Sequence, residues 1–351
     1  MNEGNHTEWT DTEMLRMELD VRRALLEDAD VPDSHAEFAA FARRTGRQRA
    51  RRRARIVAMT ALAAAASLAL LVVLTRRSPD TTAAGQDAVV VYTAQPSPVA
   101  DVAITVGEES VALGSASARD LGVTVGAEGE IHITPTTDVA DDDITTLQIP
   151  QGRTVQLLLE DSTRVWLSAA SRLIFPRRFA TEGPREVALV GEAYFEVTSD
   201  PRRPFVVNCD RLSTTVLGTT FNIRNFAGEA PSVALLSGSV KVESATAGIR
   251  LKPNEQATLN AMAFDVATVD PETVTSWKNG EFYFDGQTMR QIMTEVGRWF
   301  SYDVAFANPE FLDERLHFSC SRSKSLSEVL QQLQLISGAK ITVKDRVMTV
   351  F

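Results

Sequence analysis

Four residue types here have the chemistry for a reactive or metal-holding site, and their spacing argues against each. The four histidines, His6, His35, His132 and His317, are scattered along the chain, not set at the short intervals of a zinc site or a hydrolytic triad. Glu192 and Glu196, in GEAYFEV, resemble a catalytic carboxylate pair. Four steps along a strand separate them by about 13 Å, beyond the roughly 5–9.5 Å that glycoside hydrolysis uses. Glu192 therefore reads as a turn residue and Glu196 as a surface one. Asp141, Asp142 and Asp143 lack the spaced oxygen ligands of a calcium loop and read as a solvated acidic turn. Cys209 and Cys320 lie too far apart in sequence for a thiolate metal site or a disulfide framework. Two separate thiols are expected, with a bridge left open if both face an oxidising compartment. No GxxxxGK[ST] or GxGxxG loop occurs. The expectation is a protein that is not an enzyme, with no catalytic residue, metal or cofactor.

The elements around these residues point to a division between compartments. Residues 1–42 hold eleven acids against Arg16, Arg22 and Arg23, whereas 43–55 hold eight arginines and no acid. Next comes IVAMTALAAAASLALLVVL, residues 56–74, without one charge. As a helix it is about 28 Å long, close to the roughly 30 Å hydrocarbon core of a bilayer. Only Arg76 and Arg77 follow it closely, so the positive-inside bias places the N-terminus in the cytoplasm and the rest outside. Topology and anionic inner-membrane lipid account for the arginine run, and no direct nucleic-acid contact is expected.

Before the span, Thr10 and Glu13 have capping-box spacing, and Met14, Met17, Val21 and Leu25 fall on one helical stripe. After the Val31-Pro32-Asp33 break, Ser34 and Glu37 repeat the box and open a second helix carrying Phe38 and Phe41. Two short helices bury too little surface to stand alone, so these six apolar residues are candidates for gripping a basic, helical partner.

Beyond a linker at 75–87, alternating runs of strand type extend from Val89 to about 262, with Gly191, Gly218 and Gly238 between strands where turns are expected. After Pro271 the period changes. A strand at Glu281–Phe284, a helix capped by Thr288, a strand at Val304–Ala307, a strand at Leu316–Cys320, a helix opened by Ser325 and Glu328, and strands at Lys340–Val343 and Val347–Phe351 make a βαββαββ module. Its open edges, carried by Glu281, Phe282, Tyr283, Phe284, Val347, Met348 and Val350, are candidates for strand addition to a partner.

The run LQIPQGRTVQLLLEDSTRVWLSAASRLIFPRRF, with REVALVGEAYFEV, DPRRPFVV, TTVLGTTFNIRNF and VALLSGSVKVES, resembles the FecR family of transmembrane anti-sigma regulators across Leu147–Ser244. The tail, with WKNGEFYFDGQTMRQIMTEVGRWFSYDVAF and SLSEVLQQLQ, resembles the domain that ends many FecR proteins and is similar in plan to the short N-terminal domain of secretins and TonB receptors. The resemblance implies a multi-domain chain. A short all-α cytoplasmic sigma-binding segment (1–55) precedes one transmembrane helix (56–74) and the linker. An all-β antiparallel periplasmic region (88–262, core 147–244) and a C-terminal α/β module (275–351) follow. It implies two protein partners, an extracytoplasmic-function (ECF) sigma factor inside and the periplasmic signalling domain of an outer-membrane TonB-dependent receptor outside, with site-specific proteases as further candidates. Uptake genes for an iron chelate or a glycan would be the controlled set. The rival expectation is a membrane-anchored periplasmic binding or structural envelope protein without sigma-factor control.

Overall fold

The computed structural model describes residues 88–351 apart from 96, 98, 107–108, 127–128 and 134–143. The candidate sigma-binding residues, the candidate span at 56–74 and Asp141–Asp143 lie outside the described residues. Among the described residues no helix is long and apolar enough to cross a membrane.

Among the described residues from Ala103 to Thr268 the regular structure is strand, with one short helix at Ala116–Asp120. Strand β1 (Val89–Tyr92) precedes this region; within it, β2 (Arg164–Leu167), β3 (Arg185–Glu196), β4 (Phe205–Asn208), β5 (Thr220–Asn225) and β6 (Ser232–Ser237) carry the features that matter here. The pairings resolve into two sheets that share β3. Its first half pairs with Arg172–Pro176 and β4, and its second half with β2 and β5. The expectation of two strands broken at Gly191 is corrected: the strand runs through, and Gly191, at φ 101°, bends it from one sheet into the other. A side chain could not sit there, because a β-carbon would stand 2.7 Å from the Cα of Ser171.

Among the described residues of this region pairing is mainly antiparallel, as expected, with two parallel contacts. One of them follows from the bend. Having crossed into the second sheet, the chain returns through 197–204 and lays β4 beside the start of β3, in the same direction. Between the sheets the alternating apolar residues form one core, with Phe195 stacked on Phe221 at 5.0 Å. Arg185 is buried within it, its charge met by Asp161 at 2.7 Å and by the carbonyls of Thr198 and Arg203.

The C-terminal module has the expected order: β7 (Glu281–Thr288), α1 (Met289–Phe300), β8 (Asp303–Phe306), β9 (Arg315–Ser321), α2 (Leu326–Ser337), β10 (Ile341–Lys344) and β11 (Val347–Val350). Both helices open with complete capping boxes, Thr288 with Gln291 and Ser325 with Glu328. β7 pairs with β9, while β8, β11 and β10 form a second sheet in that order. Here the edge reading of Val347–Val350 is corrected. β11 is last in sequence but central in space, parallel to β8 on one side and antiparallel to β10 on the other. The final hairpin after α2 lies beside β8 with its last strand inward and β10 at the edge, which order along the chain does not disclose.

That sheet has a fourth strand from an unexpected source. β1, placed by sequence order with the β region that follows it, pairs antiparallel with β8 instead.

Candidate functional site

Three arginines and three glutamates from both folded regions meet where the β region rests on the C-terminal module. Arg224, on β5, is the centre. Its Nη1 donates to Glu192 Oε2 at 3.0 Å, its Nε to Glu229 Oε2 at 2.9 Å and its Nη2 to Glu295 Oε2 at 3.1 Å. Glu295 lies on α1 of the C-terminal module and also accepts from Arg298 Nη1 at 2.5 Å and Arg322 Nη2 at 3.1 Å. Arg298 donates in addition to Glu229. The network extends through Asn222, whose amide donates to Glu192 Oε1 at 3.1 Å, to the indole of Trp277, which donates to Asn222 Oδ1 at 3.3 Å.

Flat guanidiniums suit this place because they stack as well as pair. Arg224 and Arg298 both lie over the Phe226 ring, at 4.9 and 3.8 Å, and Arg322 lies between Phe282 and Trp299, at 4.6 and 4.7 Å. The segment joining the two regions, Pro271–Thr275 and the 3-10 turn Ser276–Asn279, adds a further contact. Trp277 is buried, and Lys278 Nζ stands 5.0 Å from the rings of both Trp166 and Tyr194. A cleft of 580 Å³, lined by Gln156, Trp166, Lys278, Trp299 and Arg322, opens beside this seam.

The two buried carboxyls differ. Burial would raise the Glu295 carboxyl, but Arg224, Arg298 and Arg322 outweigh it and hold the group well below the usual carboxylate range. Glu192 goes the other way: burial raises it, Arg224 and Asn222 offset the rise only in part, and nearby Glu295 adds to it. Of these two, Glu295 is thus the fixed anion and Glu192 the carboxyl that takes a proton more readily. The chemistry on offer is the fastening of two surfaces by charge.

The reading of Glu192 as a turn residue is corrected accordingly: it lies within β3 and is buried. Glu196 is half-buried and pairs loosely with Arg164 at 3.5 Å. Glu281 and Tyr283 are partly exposed on β7, which among the described residues has a strand partner on one edge only, β9. Phe282, Met348 and Val350 are fully buried core residues, Phe284 is partly buried against that core, and Val347 is half-buried. Cys209 and Cys320 are free, each inside a different core, which settles the choice in favour of separate thiols. His132 pairs with Glu130 at 3.0 Å and His317 with Asp285 at 2.5 Å, each at a different place in the fold.

Of the junction residues, sequence reasoning singled out only Glu192, and that for another role. One signal was within reach: Glu295 and Arg298 form an i, i+3 ion pair flanking the apolar stripe of α1, where a solvent-facing charge would be out of place.

The fold is thus a double-sheet β region fastened by buried ion pairs to a two-helix α/β module. Residues 142–241 match the family described as FecR protein, and residues 281–350 the one described as FecR, C-terminal. Both folded regions of the chain are thus of FecR type. Two crystal structures of a "putative anti-sigma factor" from Parabacteroides distasonis ATCC 8503, at 2.50 and 1.65 Å resolution, share the fold. Each is 26% identical with a TM-score of 0.54, over 59% of this chain and 98% of the other. No curated protein matches the chain.

Proposed function

We propose that this protein is a single-pass anti-sigma factor of the bacterial inner membrane that relays the state of an outer-membrane TonB-dependent receptor to an ECF sigma factor. The observation that carries the reading is the order of parts. Both FecR-type regions follow a charge-free stretch of membrane-spanning length whose arginines lie on its N-terminal side. A receptor in the outer membrane and RNA polymerase in the cytoplasm are separated by the inner membrane, so a linking protein must offer a surface on each side. The similarity to the Parabacteroides proteins supports the regulatory assignment over a purely structural envelope role.

Residues 1–55 bind the sigma factor through Met14, Met17, Val21, Leu25, Phe38 and Phe41. The C-terminal module receives the receptor's signalling domain along the β7 edge, where Glu281 and Tyr283 are accessible. The genes controlled are those for uptake of a nutrient such as an iron chelate or a glycan. The test uses the full chain. Met17→Asp or Leu25→Asp should abolish co-purification of the sigma factor and shift transcription of its target genes. If the wild-type chain captures no sigma factor and both variants leave transcription unmoved, the reading fails.

A further inference from the structure

The first described strand after the candidate span does not belong to the β region that follows it. β1 adds to the free edge of β8, with Val89 opposite Phe306, Val90 opposite Ala305 and Tyr92 opposite Val304. This brings the start of the large C-terminal part of the chain onto its last module. The fourteen residues between Leu74 and Val89 reach at most about 50 Å when fully extended. Through β1, the module that meets the receptor in the reading above is tied directly to the segment entering the membrane.

The attachment is specific but slight. Tyr92 lies so close to α1 that a β-carbon on Gly297 would stand 2.9 Å from its ring and 2.7 Å from Val304. Asp303 Oδ1 accepts from the Ala94 amide at 2.7 Å, and the Gln151 amide donates to the Gln95 carbonyl at 2.8 Å. Against this, β1 has only four residues, its register slips between Val90 and Tyr92, and Val89 and Val90 are 38% and 63% exposed. A short edge strand with a bulge and little buried surface belongs to the part of a fold that opens first.

The grip also shares a residue with the ion cluster. Arg298 stands 5.5 Å from the centre of the Tyr92 ring while pairing with Glu295 and Glu229. Opening the junction between the two regions takes Glu229 away from Arg298, so the cation that lies against the tyrosine anchoring β1 loses one of its two carboxylate partners.

We infer that β1 is a latch: the C-terminal module grips the strand leading to the membrane, and its release from β8 carries the signal inward. The inference rests on the transcription-control reading above and adds the moving part. It makes the short path from β8 to the span the signalling route, and gives the β region the role of a clamp through Arg224, Glu192 and Glu229.

The test is made in the full-length chain in its own host. Tyr92→Asp places a charge where the ring packs and should shift transcription of the sigma-dependent genes by about tenfold, the effect of roughly 1.4 kcal/mol on a two-state equilibrium. Adding Val90→Cys and Ala305→Cys, which face each other in register, should form a disulfide, return transcription to the wild-type level, and lose that effect when dithiothreitol is supplied. The rescue separates release of the strand from simple misfolding. Wild-type transcription with Tyr92→Asp, or a shift that the cross-link does not reverse, overturns the latch, provided that deleting the whole chain does shift transcription. Failure of the cysteines to join overturns the pairing itself. If deletion of the chain also leaves transcription unmoved, the underlying reading falls and the latch with it.

Discussion

Both carboxylate oxygens of Glu295 are engaged, Oε2 by Arg224 and Arg298 and Oε1 by Arg322, so three guanidiniums depend on one buried charge. Glu295→Gln keeps the shape and removes that charge, and breaking a buried pair in this way costs about 3–5 kcal/mol. Thermal unfolding of the full chain should show the loss, and a midpoint unchanged from wild type would refute the role assigned to Glu295. Glu192→Gln should cost far less, under about 1 kcal/mol, because Arg224 keeps two other carboxylates and burial already disfavours the Glu192 charge. The pH dependence separates the two by sign. The folded-state pKa of Glu295 lies below its ordinary 4.5, so its contribution is complete above 4.5 and is lost as the pH falls below that value. Glu192 is raised above 4.5, so its contribution is complete below 4.5 and fades as the pH rises. Below pH 4.5, stability should therefore fall more steeply with acid in wild type than in Glu295→Gln. Equal slopes in denaturant titrations would contradict the assignment.

At the scale of elements, whatever is encoded locally was readable. The caps Thr288 and Ser325, the apolar stripe of α1 and the alternation of the strands each lie within one stretch of chain, and the βαββαββ order follows from them. Thr288→Ala should accordingly cost about 1 kcal/mol, the usual worth of a helix cap, seen as a lower denaturant midpoint at unchanged slope. Sheet order was not readable, because it depends on which strands meet after the helices have packed. β11 is central although it comes last, and β1 crosses to a sheet more than two hundred residues away. The ion cluster was hidden for the same reason: Glu192, Arg224 and Glu295 come from three separate stretches, each with an unremarkable charge. The central position of β11 decides what a proline at Val350 would do. Its carbonyl accepts from the amides of Ala307 and Asn308, its side chain is fully buried, and proline within a central strand removes ladder bonding. Val350→Pro should unfold the whole module, seen as loss of protease resistance across 281–351, whereas Tyr283→Ala on the one-sided β7 should leave it folded and weaken only receptor capture.

For the whole molecule, the arrangement of parts matters only if the two ends of the chain occupy different aqueous spaces, and the fold supplies a clean way to ask. Cys209 and Cys320 are each 6% exposed, and burial raises both thiols above their ordinary value. Neither should react with a membrane-impermeant maleimide while the protein is folded, because the reactive species is the exposed thiolate. The native chain is thus a quiet background for introduced cysteines. Met262 is 71% exposed on a turn of the β region, and Met262→Cys should label in spheroplasts without lysis. Glu3→Cys, on the acidic side of the arginine run, should label only after the membrane is broken. The reverse pattern, or labelling of both before lysis, would place the acidic segment and the folded regions otherwise than the arginines imply. The ion-paired junction and the latch would then describe an assembly with no sigma factor within reach.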